Sequence, residues 1–257
     1  MTNPSITGAT RPAADHSQRN VALATASSLL FIALLAPFAQ FGALQNLIVP
    51  ADAAATATNI VDSAGLFRAA IAAFLIVAIL DIVVAWGLYV LLRPANESLA
   101  LLVGWLRVAY AAVFAYALVN LLDVVQLLQS TNASGLSPAQ TQAQVTSSIA
   151  SFNNGWDLAL AIFGLHLVGL GALLFRSIAF PKFLGALVVL AGAGYLTDSF
   201  GSILVPDYAL TISVFTFIGE ALLIVWLFKL VIKGSRASDS PRTIVGTPVQ
   251  ASEAGAS

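Results

Sequence analysis

The sequence contains no cysteine and very little charge. Without cysteine there is no disulfide, no thiolate nucleophile and no cysteine-ligated zinc or iron–sulfur site. Charged residues make up 9% of the chain, against about 25% in an average soluble domain, and 59% of the residues are hydrophobic. Eleven basic and twelve acidic side chains are too few to cover a soluble fold of 257 residues. The composition excludes a soluble enzyme and a disordered protein, and it indicates a multi-pass membrane protein.

The chain also has few histidines and a net charge close to zero. The chain has two histidines, and His16 lies in a polar tail, so we expect no metal site and no cofactor such as a bis-histidine haem. A net charge of −1 provides no field that attracts nucleic acid. No HExxH motif, phosphate-binding loop or GxSxG nucleophile turn occurs. The sequence leaves open whether the protein is an enzyme and favours that it is not.

Six apolar segments are long enough to cross a bilayer as helices, which takes about 20 residues each. They span residues 21–48, 64–92, 99–128, 152–175, 182–204 and 208–232. The sequence therefore predicts an all-α integral membrane protein, a bundle of six transmembrane helices within residues 20–233. Residues 1–19 and 234–257 are polar and are expected to be flexible tails.

Lysine and arginine predict the orientation. They occur in both tails and in the second-to-third and fourth-to-fifth connections, whereas the connections 49–63, 129–151 and 205–207 contain none. Because basic residues stay on the cytoplasmic side, both termini are predicted to be cytoplasmic.

Four local features supplement this topology. Pro37 lies inside the first segment and is expected to disturb that helix. The connection 129–151 is polar and uncharged, and we predict a loop there, with at most a short surface helix. Trp156 falls near an outer helix end and is expected to be an interfacial anchor, like the other tryptophans. Glycines in the fourth and fifth segments predict close helix packing.

Two charged residues in the second and third segments are positioned to meet. A charge at the bilayer centre costs about 2.5–3.5 kcal/mol, so it should find a partner inside the bundle. Asp81 lies 15 residues before the turn at Asn96 and Arg107 lies 11 after it. At 1.5 Å per residue the two differ by about 6 Å in depth. We predict a structural Asp81–Arg107 ion pair, with a gate or proton-linked switch as the alternative role.

A second polar group is predicted nearer the outside. It contains Arg68, Asp123, Asp157 and Asp198. One arginine cannot neutralise three aspartates, so protonation, water or a bound cation must compensate. These residues are candidates for an open binding vestibule, and the alternative is that they cap helices at the interface.

The fourth segment carries His166 and the sixth carries Glu220, both at mid-depth. A Glu–His pair in hydrocarbon could relay a proton, or it could simply hold two helices together. Asp157 and His166 are nine residues apart, about 180° around a helix, so they cannot line one narrow pore.

Three stretches carry a resemblance to a known family. They are GWLRVAY at 104–110, FGLHLVGLGALLFRSIAFPKFLGALVVLAGAGYLTDSFG at 163–201 and GEALLIVWLFKLVIKG at 219–234. With them, nearly all of residues 20–234 resembles a bacterial membrane family known as domain of unknown function 4386. Members often carry a glutamate where this chain has Tyr110, so a role built on that carboxylate does not carry over. The resemblance implies a multi-pass protein of the bacterial cytoplasmic (inner) membrane, and it implies no activity.

Three function classes remain, of which a membrane enzyme ranks last. The first is a non-catalytic membrane subunit, sensor or regulator that acts through the lipid bilayer, a membrane-protein partner or a homo-oligomer. Short loops and absent catalytic motifs favour it. The alternative is a small proton- or cation-linked transporter or channel that uses the acidic vestibule and the Glu220–His166 pair. The lack of a detectable internal repeat counts against this alternative.

Overall fold

Helices make up all the regular structure that the computed structural model describes, over residues 11–129, 135–206, 208, 212 and 218–238. Helix α1 (Arg11–Pro37) continues through a π-helical stretch (Phe38–Leu44) and a last turn (Gln45–Leu47). The others are α2 (Ala53–Asp62), α3 (Ala64–Leu92), α4 (Glu97–Gln129), α5 (Pro138–Arg176), α6 (Lys182–Leu204) and α7 (Ile218–Ser238).

Five helical stretches in these ranges are long and apolar enough to cross a membrane. They are Gln18–Leu47, α3, α4, α5 and α6. The all-helical fold is thereby confirmed, and the five long apolar helices agree with a multi-pass membrane protein. The predicted sixth span began at residue 208, whereas α7 begins at Ile218, and most of 207–217 lies outside the described residues. Helix α1 starts inside the predicted N-terminal tail, and residues 1–10 and 239–257 also lie outside the described part.

Polar and apolar side chains are distributed as lipid requires. Asp81 and Arg107 are 1% and 3% exposed, while Trp105 and Tyr116 are 64% and 76% exposed. Ionisable groups that cannot be hydrated face the bundle interior, and apolar groups face outward. The core is apolar as in a soluble protein, but many large apolar side chains also lie on the outer surface.

Helix α1 is disturbed where the sequence has its internal proline. The π-helical stretch begins directly after Pro37. Proline has no N–H to donate and its ring crowds the preceding turn, so the next turns take a wider hydrogen-bonding pattern.

The predicted loop at 129–151 is wrong over most of its length, because α5 begins at Pro138 and not near residue 152. Ser137 and Gln140 form a reciprocal capping box ahead of a first-turn proline, with Ser137 N donating to Gln140 Oε1 over 2.9 Å. Thr141, Val145 and Ile149 are buried at four-residue spacing, which gives the new turns an inward face. Helix α2 packs against α5. Asp52 caps the N-terminus of α2, because its carboxylate accepts a hydrogen bond from Ala55 N at 2.8 Å.

Glycines set the register of α5 against α6. A Cβ on Gly171 would lie 2.6 Å from the Gly185 carbonyl oxygen, and one on Gly192 would lie 2.6 Å from the Gly164 carbonyl oxygen. Only glycine allows these backbones to approach so closely, and the closely packed hairpin is confirmed.

The register of α5 against α4 is also fixed by small residues. A Cβ on Gly155 would lie 2.8 Å from Ala117 Cβ, and one on Gly169 would lie 2.6 Å from a Val103 methyl group. The two contacts agree on one antiparallel alignment of α5 with α4, because moving 14 residues forward along α5 moves 14 residues back along α4.

Helices α1 and α7 complete the bundle. The Thr25 side chain of α1 occupies the space that a Cβ on Gly87 of α3 would need, and Gly219 of α7 lies against the Leu187 backbone of α6. Because α7 packs on both α1 and α6, the two outer helices close off a space beside α3, α4 and α5.

Candidate functional site

Arg107 of α4 is the centre of the buried polar residues. Its Nη2 donates to Asp81 Oδ1 of α3 over 2.5 Å. Its Nη1 lies 3.2 Å from His166 Nε2 of α5, and its guanidinium carbon lies 5.3 Å from the Phe163 ring centroid. One side chain thus joins three helices.

The contacts of His166 determine its protonation. Its Nδ1 lies 2.9 Å from the Val103 carbonyl oxygen, which can only accept, so Nδ1 carries the proton. Its Nε2 faces a guanidinium, which can only donate, so Nε2 is the acceptor. The ring is therefore neutral, and both nitrogens are engaged. The predicted Glu220–His166 pair is wrong, because Arg107 and Val103 occupy the two positions where a carboxylate would bind.

A cavity of about 310 Å³ lies beside this ion pair, between α1 and α7 on one side and α3 to α6 on the other. Most of its wall is apolar or aromatic. The polar side chains that line it are Gln40, Asp81, Arg107, Tyr110, Tyr195 and Glu220. The π-helical stretch contributes Gln40, so the disturbed part of α1 forms part of the wall.

Aromatic rings in contact with one another form much of that wall. Trp156 lies 4.8 Å from the Phe114 centroid, and Tyr110 lies 4.8 Å from the Phe163 centroid. Phe163 in turn meets Tyr195 at 5.3 Å. Trp156 was predicted to be an interfacial anchor; in the structure its ring packs among Phe74, Phe114 and Phe152 and also lines the cavity.

Three polar atoms at the cavity are buried without a hydrogen-bond partner in the described part of the chain. They are Asp81 Oδ2, Arg107 Nε and Glu220 Oε1. Glu220 lies close enough to interact electrostatically with Arg107 and with the Tyr195 hydroxyl. Buried polar atoms are normally satisfied, so three such atoms at one cavity indicate that something completes them.

The predicted outer vestibule is not a single site in the described residues. Asp123 lines a polar pocket with Gln144 and Ser147, and Arg68 lies at a separate small pocket beside Val125. The α4–α5 contacts pair residue 155 with 117 and residue 169 with 103, which places residue 149 of α5 opposite Asp123. Asp157 is eight residues farther along α5, which separates it from Asp123 by about 12 Å along the helix axis.

The other two aspartates lie together between α5 and α6. Asp157 interacts with Ser202 and with the charge of Asp198. Asp198 accepts from the Tyr208 hydroxyl at 2.9 Å and from Ile212 N at 3.0 Å. These contacts tie the end of α6 to the chain that follows it. Among the described residues, no group of three or more histidine, aspartate or glutamate side chains is placed to hold a metal ion.

Comparison with known proteins identifies relatives. The family model described as a domain of unknown function, DUF4386, matches residues 24–234. An uncharacterized protein of the archaeon Archaeoglobus fulgidus is 35% identical over 175 residues, which cover 68% of this chain and 86% of the relative. No solved structure matches.

Proposed function

The chain belongs to the DUF4386 family, and from its cavity we propose a non-catalytic membrane sensor or regulator that binds a small amphiphilic molecule beside Arg107. One observation carries the proposal: a cavity of about 310 Å³ with apolar and aromatic walls meets three buried polar atoms that lack partners. Ligand sites have this character, with a largely apolar wall and a few convergent polar groups.

The location and the route of signalling belong to the same proposal. Both termini are cytoplasmic, six helices cross the cytoplasmic membrane, and the basic connections support this orientation. The bound state is transmitted to a membrane-protein partner or to a second copy of the chain. Short connections between the helices favour contact within the bilayer.

The transporter alternative loses much of its support. It required an acidic outer group working with a Glu220–His166 pair. In the described residues Asp123 lies apart from the Asp157–Asp198 pair, and both His166 nitrogens are engaged by other groups.

Trp156 provides a direct test, because it lines the cavity and the chain has only four tryptophans. Replacing Trp86, Trp105 and Trp226 by phenylalanine leaves Trp156 as the one fluorescent reporter. In lipid nanodiscs we expect saturable quenching by nine-carbon amphiphiles with a terminal bromine, tested separately with amine, alcohol and carboxylate heads. Bromine quenches only on contact, so saturation reports occupancy of the cavity.

Two controls separate the cavity from the bilayer. A variant that retains only Trp105, which is 64% exposed, reports partitioning of the probe into lipid and should not saturate. Ala33→Phe fills the cavity from α1 and should abolish saturable quenching of Trp156. If no probe quenches Trp156 more than Trp105, the ligand cavity is refuted.

A further inference from the structure

The polar end of the cavity, where Asp81, Arg107 and Glu220 lie, carries a net negative charge when Glu220 is ionised. We infer that it selects an amphiphile with a cationic head that carries N–H groups, such as an alkylammonium. This inference rests on the proposed function and specifies the chemical class of the ligand.

The charge balance comes first. Asp81 and Arg107 neutralise each other across their ion pair. His166 is neutral, because Nδ1 donates to Val103 and Nε2 accepts from Arg107. Among the described residues that line the cavity, ionised Glu220 is then the one charge that lacks its own counter-charge. A positive ligand head restores neutrality, whereas a negative head would raise the charge of a buried site.

The buried atoms without hydrogen-bond partners also favour a cationic head. Asp81 Oδ2 and Glu220 Oε1 are carboxylate oxygens and need donors. An ammonium offers three donors and no acceptor, so it satisfies both. Arg107 Nε is the single donor left over, and an anion drawn to it would have to compete with Asp81 for the guanidinium.

The wall suits a cation with an apolar tail. The rings of Tyr110 and Tyr195 each contact the ring of Phe163, and the Arg107 guanidinium carbon lies 5.3 Å from the Phe163 centroid. Aromatic faces attract cations. Farther along, Phe114 and Trp156 continue the wall without charge, which fits an alkyl chain.

The single-Trp156 protein in nanodiscs tests the head group directly. Trp156 lies ten residues from His166 along α5, about 15 Å, so the far end of a nine-carbon chain approaches it when the head is near Glu220. We expect 9-bromononan-1-amine to reach half-quenching at a concentration about tenfold lower than 9-bromononan-1-ol, as a charge-assisted hydrogen bond predicts. We expect 9-bromononanoate to bind most weakly.

Two variants assign the preference to a residue. Glu220→Gln keeps the shape of the side chain and removes its charge, so the amine should lose most of its advantage over the alcohol. Asp123→Asn removes a carboxylate that lies outside this cavity, so the advantage should be unchanged.

The outcomes are distinct. Cavity-dependent quenching that is equal for all heads, or strongest for the carboxylate, overturns the cationic ligand and leaves the binding function standing. An amine preference that survives Glu220→Gln overturns Glu220 as its cause. The ranking of probes on the unsubstituted cavity is decisive even if Glu220→Gln does not fold. Absence of saturable quenching by every probe removes the binding function and this inference together.

Discussion

At the residue scale, the interior is organised around one guanidinium. Arg107 contacts a carboxylate of α3, an imidazole of α5 and the face of Phe163, and it is 3% exposed. Removing one member of a buried ion pair leaves the other charged and uncompensated, which costs more than the pair contributes.

Neutralising either partner should therefore destabilise the protein strongly. We expect Asp81→Asn and Arg107→Met each to lower the free energy of unfolding by about 3–5 kcal/mol. The double variant should lose clearly less than the two single losses together, because neither charge remains. Thermal unfolding in detergent measures all three, with Asp123→Asn as the control. Strictly additive losses would contradict coupling between the two side chains.

Sequence arithmetic accounts for one contact of Arg107 and not for the other. The α3–α4 turn is short, so counting residues from Asn96 brings Asp81 and Arg107 to similar depth, and the structure has them in contact. The same count does not bring His166 to Arg107, because with residues 129–151 as a loop the midpoint of the connection lies too far along the chain. With α5 starting at Pro138, Val103 faces Gly169 and Arg107 falls opposite residue 165.

At the element scale, α5 is the central helix. It packs against α4 through Gly155 and Gly169 and against α6 through Gly164 and Gly171. The contacts with α6 involve backbone atoms and those with α4 involve the Ala117 and Val103 side chains, so an added methyl group has no room at any of the four glycines.

A single methyl group should show this. Gly171→Ala places a Cβ 2.6 Å from the Gly185 carbonyl oxygen, and we expect a loss of about 1–3 kcal/mol and a lower Tm. Gly65→Ala is the matched control, since nothing lies within 4 Å of its new Cβ and alanine is the better helix former. It should leave the Tm unchanged or raise it. Equal effects of the two substitutions would argue against the close α5–α6 contact.

Hydropathy located the apolar helices, but it missed helix α2 and the polar first turns of helix α5, for a physical reason. The bounds 64–92 and 182–204 agree with α3 and α6. The first turns of α5 and all of α2 are rich in alanine, threonine and glutamine, and a hydropathy average reads such stretches as loop. The available signals were local: the Ser137–Gln140 capping box, and the four-residue spacing from Thr141 to Ile149.

At the scale of the whole molecule, the orientation is open to direct measurement because the chain has no cysteine. Single cysteines at Ala139, Val205, Ser98 and Ser252 can each be offered to a membrane-impermeant maleimide on intact cells. We expect Ala139→Cys and Val205→Cys to react, and Ser98→Cys and Ser252→Cys to react only after lysis. Reaction of Ser252→Cys on intact cells would show that α7 does not return the chain to the cytoplasm. The reverse pattern throughout would invert the topology.

The Asp81–Arg107 contact also bears on how the chain is made. Helices α3 and α4 are joined by only four residues, 93–96, so both are available soon after synthesis. Each alone would carry an uncompensated charge into hydrocarbon, at about 2.5–3.5 kcal/mol. Released together as a helical hairpin, they enter the bilayer with those charges already matched. Insertion of α3 and α4 as a pair is thereby favoured over insertion of each helix alone. Helix α5 is synthesised later and brings His166 against an arginine that is already in place.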